Sequence, residues 1–70
     1  MNRIKEILTE QGRTQKWLSK AINKSYPVVT NYCNNNKQPS IETLVEIAKT
    51  LDVDVRELLI RTKNTAENTG

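Results

Sequence analysis

Side chains able to recognise a ligand gather in one stretch of the 70-residue chain, SKAINKSYPVVTNYCNNNKQPS, residues 19–40. Asn31, Asn34 and Asn36 carry amides that both donate and accept hydrogen bonds, Tyr26 and Thr30 carry hydroxyls, and Lys20, Lys24 and Lys37 add positive charge. An asparagine can bond adenine N6 and N7 together, while Pro27 and Val28 offer only apolar contact, best suited to a thymine methyl. Catalysis has far less to work with. The chain has no histidine, one cysteine and two glycines, which leaves almost nothing for imidazole acid–base chemistry, a glycine-rich phosphate loop or a thiolate metal site. Glu6 and Glu10 lie on an amphipathic surface helix. The expectation is a binding protein with no enzyme activity, no metal, no cofactor and no small-molecule ligand.

Charge is distributed unevenly. Residues 1–40 hold seven basic residues against two acidic ones, a net of +5, whereas residues 41–70 hold four basic and six acidic, a net of −2. A basic front on an acidic scaffold fits a polyanionic partner, although a solvated basic surface with no partner is the plainer alternative. The lone Cys33 cannot form an internal disulfide, no leader-like segment is evident and the apolar runs are short. These features point to a single small domain in a reducing, cytoplasmic setting, with no membrane span. The sequon Asn23-Lys24-Ser25 would matter only in a secreted chain.

Positioning these side chains requires helices, and the chain punctuates them clearly. Ile4, Ile7 and Leu8 give residues 3–11 one apolar face, closed by Gly12. Thr14 caps a second helix running to about Ile22, with Leu18 and Ile22 inward and Trp17 half-buried at its third position. Asn23 then supplies a left-handed exit, and Ser25 opens a third helix over residues 26–34. Pro27 falls at the second helical position, where an N–H has no partner within the helix. Val28, Val29 and Thr30 are poor helix formers by about half a kcal/mol each, a penalty that burial of Val29, Tyr32 and Cys33 can override. Ser40 caps a fourth helix whose inner face is Ile41, Leu44, Ile47, Ala48 and Leu51. Asp54 and Glu57 frame a last short helix with Val55, Leu58 and Leu59 inward. From Thr62 the tail has little to bury, so a domain over residues 1–61 and a disordered tail over 62–70 are expected.

Two short helices joined by a tight turn, the second rich in small polar groups, match the arrangement that places a helix in a major groove. TQKWLSKAINKSYPVVTNYCNNNKQPSIETLVEIAKTLDVDVRELL resembles the helix-turn-helix domain of the lambda-repressor-like, Cro/XRE class of transcriptional regulators. The resemblance covers roughly residues 2–61. It is carried by Thr14-Gln15, Leu18, Ser19 and Ile22, Val29 and Tyr32, Pro39-Ser40, and Leu51-Asp52-Val53 followed by Leu58-Leu59. It implies an all-α, compact five-helix fold and a regulator of transcription, a repressor, that inserts helix 26–34 in the major groove of double-stranded DNA. Tyr26, Pro27, Val28, Thr30 and Asn31 become candidate base contacts. Thr14, Gln15, Lys16, Lys20, Lys24, Asn34, Asn36 and Lys37 become candidate phosphate contacts.

Departures from the family pattern carry information. Asn23 and Asn35 stand where the family commonly has glycine, and asparagine is the next-best left-handed residue. Many members pair an arginine on the first helix with a glutamate at the end of the recognition helix. Leu8 and Cys33 hold those positions here, so two apolar residues are expected in contact. Specific reading by so small a module calls for a homodimer on two half-sites, and Leu59 and Ile60 are the candidate dimer interface.

Plainer readings accompany several of these assignments. Asn34, Asn35 and Asn36 also suit an ordinary helix exit and turn, Tyr32 and Cys33 suit the core, and Trp17 suits packing. The alternative from another functional class is a protein-interaction module, such as an antitoxin-like regulatory subunit, gripping its partner through Tyr26, Pro27 and Trp17.

Overall fold

A computed structural model of the chain describes residues 1–59. It contains α1 (Ile4–Gln11), α2 (Gln15–Ala21), α3 (Tyr26–Cys33), α4 (Ile41–Leu51) and a single 3-10 turn over Val55–Leu58. Among the described residues there is no strand, only an isolated antiparallel bridge between Asn2 and Leu59. The expected tail over residues 62–70 and the dimer candidate Ile60 lie outside the described residues.

Local chemistry sets most of the boundaries. The Thr14 hydroxyl accepts from the Trp17 N–H at 2.9 Å and the Ser40 hydroxyl from the Thr43 N–H at 3.2 Å. Ser25 does the same for Val28 at a longer 3.4 Å, with Pro27 in the first turn of α3. Each of these caps satisfies one N–H that the helix itself leaves without a partner. The exits are left-handed at Gly12, Asn23, Asn35 and Asp52, with φ of 68°, 58°, 59° and 56°. Asn23 and Asn35 thus take the backbone conformation expected of them in place of glycine. Asp52 does so too, and its side-chain type alone had not singled it out.

Every helix contributes to one core. Ile4, Ile7 and Leu8 from α1, Leu18 from α2, Val29, Tyr32 and Cys33 from α3, and Ile47, Ala48 and Leu51 from α4 are buried with Ile22 and Leu58. Complete burial of an aliphatic side chain stabilises by about 1.5–3 kcal/mol. Ser19 is buried on α2, its hydroxyl donating to the Lys16 carbonyl at 2.7 Å. Gln11 ties the end of α1 to that of α4, its Nε2 donating to the Leu51 carbonyl at 2.8 Å.

Three expectations need correction. The fifth helix is one 3-10 turn: Asp54 and Glu57 frame it reciprocally, but the chain is extended again at Leu59, where it pairs with Asn2. Leu59 is 43% exposed and does not face the core. Ile41 is 81% exposed, whereas Leu44 is half-buried and Ile47, Ala48 and Leu51 are buried. Side chains on a helix tilt toward its N-terminus, so that of the first residue projects back beyond the core that the later turns cover.

Candidate nucleic-acid interface

α2 and α3 pack on one another through a turn closed by backbone bonds from the Asn23 N–H to the Lys20 carbonyl and from the Lys24 N–H to the Ser19 carbonyl. Burying Val29, Tyr32 and Cys33 leaves Tyr26, Pro27 and Asn31 exposed on α3, with Asn34 exposed at its C-cap. Tyr26 is 53% exposed. The front is uncharged and combines an aromatic ring, a proline ring and two amides. The other two candidate base contacts sit at the flanks of the helix. Val28 is half-buried against the core, and half-buried Thr30 donates its hydroxyl hydrogen to Gln15 Oε1 at 3.1 Å.

That bond joins the reading helix to the first residue of α2 and gives Gln15 a defined orientation. With Oε1 engaged by Thr30, the amide nitrogen of Gln15 is the group left to bond an acceptor such as a phosphate oxygen. Thr14 has its hydroxyl oxygen committed to capping, as above. Lys16, Lys20 and Lys24 are exposed along α2 and the turn, and Asn34, Asn36 and Lys37 are exposed at the exit of α3. Among the described residues none of these four lysines pairs with a carboxylate: the ion pairs join Arg3 to Glu6 and Glu10, and Arg56 to Asp54. The Arg56 guanidinium holds the Asp54 carboxyl below its ordinary range, far from the reading helix in sequence. The positive field around α3 is therefore not cancelled locally, as a polyanion-facing surface requires.

The loop after α3 is built on the reading helix itself. The Asn31 carbonyl accepts from the N–H groups of Asn36 and Lys37, at 2.9 and 3.2 Å. Two features of this region escaped the sequence reading. Asn2, only 3% exposed, reaches across from the N-terminus to the α3 exit. No local signal pointed to its distant partners. Arg13 places its guanidinium 4.1 Å from the centroid of the Trp17 ring, which holds another cation at the start of α2. Cys33 is buried, and burial pushes its thiol up to about 11 against a smaller opposing pull from Lys5. Lys5 is a basic neighbour that sequence spacing had not shown, but desolvation prevails and leaves the thiol protonated at neutral pH.

Among the described residues no group of His, Cys, Asp and Glu side chains gathers as metal ligands would, and no helix is long and apolar enough to cross a membrane. No curated protein sequence matches the chain. A helix-turn-helix family model matches residues 4–58. The crystal structure of an inferred DNA-binding protein from Bacteroides fragilis superimposes with a TM-score of 0.81 at 43% identity, over 83% of this chain and 94% of that one. The family match takes in the capped α2–α3 pair, and the structural likeness agrees with it: the chain belongs to the Cro/C1-type helix-turn-helix family.

Proposed function

We propose that this chain is a sequence-specific, duplex-DNA-binding transcriptional regulator that lays α3 in the major groove. The observation that carries the reading is the uncharged front of Tyr26, Pro27 and Asn31, exposed beside lysines that have no carboxylate partner among the described residues. In this reading Asn31 bonds adenine through its amide, and Tyr26, Pro27 and the exposed edge of Val28 lie against thymine methyls. Thr30 reaches the groove edge and steadies Gln15. Thr14, Gln15, Lys16, Lys20, Lys24, Asn34, Asn36 and Lys37 set the register on the phosphates. Direct reading is therefore A·T-leaning. The Bacteroides fragilis neighbour, inferred to bind DNA, supports the same assignment.

A helix pair seated in the groove acts most simply by occluding its site, which makes the regulator a repressor, in the cytoplasm of a bacterium or encoded by a phage. Specificity from so few base contacts requires two copies on half-sites about one helical turn, roughly 34 Å, apart. The exposed Leu59 is the described part of the dimer contact, with Ile60 beside it in sequence.

Selection of bound sites from a random duplex pool, with sedimentation of the free chain and of the complex, tests the proposal. The expected result is a palindrome bound by a dimer, with affinity falling steeply as salt rises. No enriched sequence, or binding indifferent to salt, overturns it in favour of the protein-interaction module that exposed Tyr26 would suit.

A further inference from the structure

The described residue of the N-terminal segment with the most polar contacts is Asn2, and its hydrogen bonds lead to the loop that the proposed function places on the phosphate backbone. The Asn2 amide nitrogen donates to the Tyr32 carbonyl and to Gln38 Oε1, both at 2.9 Å, while its Oδ1 accepts from the Ile4 N–H at 3.0 Å. Its backbone N–H donates to Asn35 Oδ1 at 2.7 Å, and its carbonyl accepts from Asn35 Nδ2 at 3.3 Å. Gln38 Nε2 closes the ring of three amides by donating to Asn35 Oδ1 at 3.1 Å. A buried amide with donors and acceptor all used holds its partners in one geometry, because each lost bond leaves a polar group without water or partner.

Asn2 thus joins three parts of the fold. Its Oδ1 caps α1 from outside the helix, its amide nitrogen grips the end of α3, and its main chain pairs with Leu59, next to the bond from the Arg3 N–H to the Leu58 carbonyl at 2.7 Å. The gripped segment includes Asn35, whose left-handed φ of 59° turns the chain out of α3 and carries Asn36 and Lys37. We infer that Asn2 is a positioning residue for DNA binding: it orders the 34–38 loop so that Asn34, Asn36 and Lys37 meet the phosphates without first being fixed. The inference rests on the DNA-binding reading of α3. Ordering the loop in advance removes a cost that binding would otherwise meet.

Asn2→Asp and Gln38→Ala test this from two directions. Asn2→Asp keeps the oxygen that accepts from Ile4 but removes both amide donors. Gln38→Ala removes one strand of the ring from an exposed residue, so it reports even where Asn2→Asp weakens the fold. Two readouts are needed. Amide hydrogen exchange without DNA is expected to accelerate at least tenfold at Asn36 and Lys37, with the capped Trp17 N–H unchanged. Duplex affinity is expected to fall roughly tenfold, with the salt dependence shallower by about one phosphate contact and the preferred bases kept. A purely structural role would move exchange at Trp17 as well. Unchanged exchange at Asn36 and Lys37 in both variants overturns the inference, as does wild-type affinity at every salt concentration. A wild-type chain that binds no duplex fails the DNA reading first, and the control separates that failure from this one.

Discussion

Replacing Leu8 alone by arginine puts a guanidinium on the face of α1 that meets α3, where Leu8 is 2% and Cys33 4% exposed. Losing the buried leucine costs about 1.5–3 kcal/mol. An unpartnered charge in the same place brings the total to about 3–5 kcal/mol. A domain of 70 residues has a stability of about 4–10 kcal/mol at typical values per residue, so Leu8→Arg removes a large part of it. Cys33→Glu alone also buries a charge, but Lys5 stands close enough to act on position 33 and softens the loss. The two changes together create the arginine–glutamate pair that the family resemblance implies for these positions. The double variant is therefore expected to lose about 1–3 kcal/mol less than the sum of the two single losses, the coupling between the new pair. Urea unfolding followed by the fluorescence of Trp17, the single tryptophan, measures all four corners of the cycle. An unchanged midpoint for Leu8→Arg, or losses that simply add, would show that positions 8 and 33 do not face one another across the core.

Asn31→Ala should cost about 1–3 kcal/mol of discrimination at one base pair and leave the salt dependence as it was, since an exposed amide that reads a base carries no charge. Competition between the selected duplex and single-base variants checks this, and uniform weakening across all sequences would place Asn31 on the backbone instead. Cys33 gives a pH signature. Its folded-state value of about 11 lies above the ordinary 9.0, so its contribution to stability is complete below pH 9 and is lost as pH rises from there through about 11. The loss is on the order of 2–3 kcal/mol and should vanish in Cys33→Ala; equal alkaline slopes for the two proteins would refute it.

Much of the reading helix was legible because its determinants are local. A cap bond from Ser25 to Val28 spans three residues, and the tolerance of Pro27 depends only on its distance from that cap. Asn23 could be read as a left-handed exit from side-chain chemistry alone, and Asn35 from the family pattern together with that chemistry. Legibility stopped where a residue's role depends on what stands opposite. Val28 and Thr30 looked as outward as Asn31, yet one leans on the core and the other bonds Gln15, fifteen positions earlier. Ile41 continued the apolar pattern of α4 and still projects past the core, because the pattern records a face and not how far along the helix its partners extend.

The sequence by itself determined, to within about one residue, where α1, α2 and α3 begin and end and which face each of them turns inward, and that an amide-bearing, uncharged helix would stand in a basic half of the chain. These follow from contacts within about one helical turn, which neighbouring residues specify directly. Tertiary structure alone decided which polar groups answer one another across the fold: Asn2 with Tyr32, Asn35 and Gln38, Gln11 with the Leu51 carbonyl, and Lys5 acting on Cys33. Such pairings depend on the approach of segments about thirty to forty residues apart. A buried polar group must find its partner there, whatever the local sequence would suit.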